Sequence, residues 1–167
     1  NKKLFSHKEI EKNEDISFAF FLRICQKILQ ESKHKIYFFI QTKNDIKITN
    51  QIYNQLEELN AEERLKIFTP NNVNEYVEIL SSIDLMISNR FHALILSLIN
   101  NKNIIGISDL SAHGHKVKGL LSTFDINHQF ISLDQKSLDK NINIAFQLLN
   151  KEEKHPTEIN EKIIKMK

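Results

Sequence analysis

Five short apolar runs, each bounded by polar or turn-forming residues, constrain this chain more than any other feature. They fall at residues 35–41, 65–69, 84–88, 103–108 and 128–132, and most are rich in Ile, Phe or Tyr. Runs of this length and content read as buried strands. The segments between them carry a helical period instead. Phe18, Phe21, Leu22, Cys25, Ile28 and Leu29 recur at spacings of three and four across 16–32. Ile48, Ile52, Leu56 and Leu59 do so across 45–64, and Val73, Tyr76, Val77 and Leu80 form the inner side of a helix over 73–83. Further helices are expected over 90–100, 116–123 and 137–150. Strands alternating with helices imply an α/β fold, with a mainly parallel sheet and helices on both faces.

The pattern opens on a helix, so a first strand is expected upstream of Asn1. Residues 1–15 read as a loop, 1–150 as one domain, and 151–167 as a charged helical tail broken at Pro156. The 167 residues suffice for one domain with a real core. A formal net charge of +2 gives no field that argues for nucleic acid. The single Cys25 allows no internal disulfide and suits a reducing, cytoplasmic compartment. No apolar run reaches the length of a membrane span, and no signal peptide is visible.

The chemistry concentrates where the strand at 84–88 hands over to the helix at 90–100. Asn89 is the expected N-cap, which sets Arg90 and His92 in the first helical turn beside Ser88 and Asn89. Free N–H groups and the helix dipole favour an anion there. Arg90 offers a bidentate fork for a carboxylate or phosphate, and His92 can give or take a proton near neutral pH. The bland alternative is an Arg90 ion pair and a core histidine. All three glycines, Gly106, Gly114 and Gly119, follow soon after, where positive φ or close approach of a ligand would call for them. The loop among them carries His113, His115, Lys116 and Lys118, a cationic clamp whose alternative is a solvated surface loop. His113-x-His115 lacks the accompanying ligands of a metal site, so no metal is expected. The apolar stripes of the helices read as core.

The residues Ile87-Ser-Asn-Arg-Phe-His-Ala-Leu-Ile95, then Ile104-Ile-Gly-Ile-Ser108, then Lys116-Val-Lys-Gly-Leu-Leu121 resemble the C-terminal half of the polysaccharide pyruvyl transferase family. The resemblance is specific over 84–124 and architectural elsewhere. It implies a Rossmann-like domain, one half of a GT-B-like enzyme, with the donor in the crevice between the halves. It implies phosphoenolpyruvate as donor substrate with no cofactor, and a saccharide acceptor whose hydroxyls form a ketal. It also implies peripheral membrane association through a lipid-linked acceptor. By that resemblance Arg90 and His92 are catalytic, and Arg90, Asn89, Ser88, His115 and Lys116 bind substrate. The family often has Tyr-Asp before its lysine, where this chain reads Ser-Ala-His-Gly-His, so His115 stands beside Lys116 as a second candidate. The alternatives are a GT-B half that binds a nucleotide sugar, and a non-catalytic anion-binding module.

Overall fold

A computed structural model describes residues 16–59, 61–108 and 114–151. The loop expected at 1–15, His113, and the tail expected at 151–167 apart from Lys151 lie outside them. The chain divides into two compact units, Asn1–Thr69 and Pro70–Lys167.

In the first unit, helix α1 (Ile16–Glu31) buries Phe18, Phe20, Leu22, Ile24, Cys25 and Ile28. It packs against helix α2 (Lys43–Glu57). Burial pushes the Cys25 thiol up to about 12, which leaves it protonated and unreactive. Strands β1 (Ile36–Phe39) and β2 (Leu65–Phe68) pair in parallel, Ile36 opposite Leu65 and Phe39 opposite Phe68. Asp45 starts α2 by accepting the Thr42 N–H at 2.9 Å. The helix stops well short of the 64 expected from its period. Glu57 and Glu58 crowd its C-terminal end, where the dipole disfavours anions, and a 3₁₀ turn at Glu62–Arg64 follows.

That turn delivers Arg64 to the end of α1. Its guanidinium donates to the carbonyls of Leu29 (2.9 Å), Ile28 (3.2 Å), Ser32 (2.9 Å) and His34 (2.8 and 3.0 Å). Leu29 lies in the last turn of α1, where a helix runs short of intrahelical donors; Ile28 already accepts the Ser32 N–H at 3.1 Å, and Ser32 and His34 follow the helix. Arg64→Lys keeps the charge but loses the planar fork, and should cost about 1–2 kcal/mol, read as a lower urea midpoint. An unchanged midpoint would mean that the fork adds nothing.

The second unit is built on three parallel strands in the order β3 (Leu85–Ser88), β4 (Asn103–Ser108), β5 (Phe130–Ser132). Ser88 lies opposite Gly106, and Ser108 opposite Ser132. Helices α3 (Val73–Ser81), α4 (Phe91–Ile99), α5 (Gly114–Thr123) and α6 (Leu138–Leu149) alternate with them. Ile104, Ile105 and Ile107 of β4 are each at most 1% exposed. Successive side chains of a strand point to opposite faces, so β4 is covered on both. Its covering includes Leu94 and Leu98 from α4 and Val117 and Leu121 from α5. The parallel α/β class is thus the one expected from the sequence.

Local chemistry sets the boundaries. The Asn72 side chain caps α3 by accepting the Glu75 N–H at 3.0 Å. Val73 beside it is 63% exposed rather than on the inner side, because it occupies the first helical position, ahead of the buried Tyr76 and Leu80. Helices α4 and α5 both end with a left-handed residue, Asn101 (φ 56°) and Asp125 (φ 59°). In each, the N–H of the next residue reaches back into the last turn: Lys102 to Ser97 at 2.9 Å, Ile126 to Leu121 at 2.9 Å. Such a cap usually takes glycine, sometimes Asn. The Asn141 side chain ties α6 to the Ser132 carbonyl at 2.8 Å. His128, expected in a strand, sits in a 3₁₀ turn, Asn127–Gln129, that leads into β5. Among the described residues no helix is long and apolar enough to cross a membrane.

Candidate active site

Strands β3 and β4 are parallel neighbours, so the junctions that follow them lie along the same carboxyl edge of the sheet. That edge is where open α/β sheets bind ligands. The first junction consists of Asn89 and Arg90 alone. Ser88 is buried, and its hydroxyl accepts the Arg90 N–H at 2.9 Å. This bond holds Arg90 in extended backbone (φ −93°, ψ 115°), and its carbonyl then accepts the Leu94 N–H at 3.2 Å. Arg90 is therefore the N-cap, and the expected cap Asn89 lies one residue outside the helix. The physical consequence matters more than the shift. An Arg side chain makes no cap bond to the first turn, so that turn's N–H groups gain no partner from their N-cap residue.

Arg90, Asn89 and His92 are all exposed. His92 is the second residue of α4, and its ring meets the edge of Phe91, with centroids 5.8 Å apart at 81°. Ser88 shapes the junction from beneath rather than facing solvent. His115 and Lys116 stand exposed in the first turn of α5 at the next junction. Together with Phe91, they line one cavity of about 510 Å³ between α4 and α5. Neither Arg90 nor His92 lines it. Two pairs of basic residues, Arg90 with His92 and His115 with Lys116, thus sit on adjacent junctions of one sheet edge.

Gly106 does different work from that expected. No described glycine has positive φ. Gly106 is buried in β4, and a Cβ placed there would meet Leu121 Cδ1 and Val117 Cγ1 at 2.7 Å. It is absent so that α5 can pack tightly on the sheet. Gly119, by contrast, has nothing within 4 Å of an added Cβ. It belongs to the wall of the cavity between the two helices.

That cavity is the feature that sequence reasoning missed. Phe91, Ile95 and Ile99 recur every four residues along α4, a stripe that reads as core. They line the cavity instead, and Ile99 is 43% exposed. Burial of the stripe could be judged only once α5 was known to lie beside α4. Among the described residues no group of His, Cys, Asp or Glu could hold a metal ion.

A family model described as polysaccharide pyruvyl transferase matches residues 2–111, well over half of the chain. The match includes both strands of the carboxyl edge and the Arg90–His92 junction, and it ends before His115 and Lys116. No curated protein and no solved structure matches the chain.

Proposed function

The chain belongs to the polysaccharide pyruvyl transferase family, and we propose that this sheet edge binds phosphoenolpyruvate and passes its pyruvyl group to saccharide hydroxyls. The observation that carries the reading is the β3–α4 junction. There Arg90 is N-cap and His92 lies in the first turn, beside N–H groups that the N-cap side chain leaves unbonded. Phosphoenolpyruvate brings two anionic groups. Arg90 can hold one of them through its fork, the helix N-terminus favours the same charge, and Lys116 on the neighbouring junction is suited to the second.

The reaction needs one proton placed on carbon. His92 as imidazolium gives its proton to the methylene carbon of the enol, leaving an oxocarbenium-like centre at C2. A saccharide hydroxyl attacks C2, the bond from C2 to the phosphate oxygen breaks, and phosphate leaves. A second hydroxyl of the acceptor then closes the ketal. The two hydroxyl protons restore the histidine and neutralise the departing phosphate. Cations fixed at the sheet edge stabilise that phosphate as its charge grows. His115 stands beside Lys116 as the second candidate for holding the donor. The scheme calls on no cofactor, since the enol phosphate carries its own activation.

A thermal-shift comparison tests this reading. Phosphoenolpyruvate at about 100 times its Kd should raise stability by about 2.7 kcal/mol, and nucleotide sugars should not. Stabilisation by a nucleotide sugar alone would replace pyruvyl by glycosyl transfer. No shift with either, together with a neutral Arg90→Ala, would make the unit a non-catalytic module.

A further inference from the structure

We propose that the cavity between α4 and α5 binds a linear aliphatic chain that ends in an anionic head group, phosphate or carboxylate. Pyruvyl transfer does not require such a cavity; the proposal shares His115 and Lys116 with that reading but does not depend on it. The cavity's volume of about 510 Å³ is that of a small-molecule site.

Its polarity is graded from one end to the other. Phe91, His115 and Lys116 come from the first turns of the two helices, which both start at the carboxyl edge of the sheet. The charge at that end is cationic, and both helix dipoles point their positive ends there. Ile99 and Phe124 come from the opposite ends of the same helices. No charged residue lines that end, and the Thr123 hydroxyl donates to the Gly119 carbonyl at 2.9 Å. Between the two ends the walls are Ile95, Leu120 and Gly119. A nine-residue helix such as α4 is about 14 Å long, which suits an extended chain lying along it. The missing side chain at Gly119 recesses one wall. An anionic head at the His115–Lys116 end with its chain running towards Ile99 matches both the charge and the shape.

Calorimetry on the full chain, with ligands kept below their aggregation concentrations, provides the test. The series is inorganic phosphate, hexyl phosphate, octyl phosphate, decyl phosphate and decanoate. Affinity should rise about fourfold for each added methylene until the cavity is full, and the tighter of decyl phosphate and decanoate identifies the head group. Gly119→Phe fills the cavity from a position that has room for a Cβ. It should abolish the chain-length dependence while keeping the melting temperature and the weak binding of inorganic phosphate. Ile99→Asp, at the exposed apolar end, should act in the same direction. Affinity independent of chain length would overturn the proposal, as would unchanged decyl phosphate binding in Gly119→Phe. So would a dimer that Gly119→Phe dissociates without any amphiphile binding, which would make this face an interface between copies. Phosphoenolpyruvate has no chain, so its binding survives Gly119→Phe and reports separately on the transferase reading.

Discussion

Replacing His92 by glutamine is expected to lower turnover with phosphoenolpyruvate by about 10²–10⁴-fold, the usual contribution of a positioned proton donor. Glutamine keeps the length and polarity of the side chain but has no proton to give to carbon. Helix α4 should be undisturbed, because His92 is exposed and its ring contact is with the adjacent Phe91. Donor affinity should therefore stay near the wild-type value while phosphate release in the presence of acceptor collapses. Arg90→Ala should show the reverse emphasis, a weaker Kd for the donor, because the guanidinium acts on the ground state as well. The split between the two variants is the measurement that matters. A His92→Gln protein with normal turnover would move the proton to another group, and His115→Gln would be the next variant to assay.

The largest effect on stability should come from Gly106→Val. A Cβ at this position already falls 2.7 Å from Leu121 Cδ1 and Val117 Cγ1 and 3.4 Å from Leu94 Cδ1. Leu121 and Leu94 are fully buried and Val117 is 2% exposed, so none can swing out to solvent. Alanine should cost about 1–3 kcal/mol and valine about 3 kcal/mol or more, read from urea midpoints. The strain has only one easy outlet, which is to lift α5 off β4. That movement would carry His115 and Lys116 with it, so the alanine variant should also bind the donor less tightly. An alanine variant as stable as the parent would show that α5 does not press on the strand here.

The elements that could be read from sequence are those in which local pattern and tertiary contact agree. The run at 103–108 is a strand with the same limits in the structure, because an uninterrupted apolar stretch suits a central strand covered on both faces. The Arg90–His92 junction was legible because a short apolar run passes directly into a helical period. Its cap was misplaced by one residue, since Asn is the better capping residue and only the Ser88 hydroxyl reveals why Arg90 takes the position. The helical pattern of α2 runs past its true end at Glu57 because Ala61-Glu-Glu-Arg64 has good helix propensity. The pull on Arg64 from carbonyls thirty or more residues away has no local signature. Gly106 and Gly119 look alike in the sequence, yet one is excluded volume and the other open space. Only the distance between α5 and its neighbours separates them.

Arg64 has an evolutionary consequence of its own. Each of its bonds ends on a main-chain oxygen, so the residues that supply those oxygens are free to drift in identity without breaking them. Covariation between Arg64 and Ile28, Leu29, Ser32 or His34 should accordingly be faint across related chains. A lineage that lost the arginine would find no compensating exchange at those four positions, and its repair would have to be reversion or a new cation arriving from elsewhere.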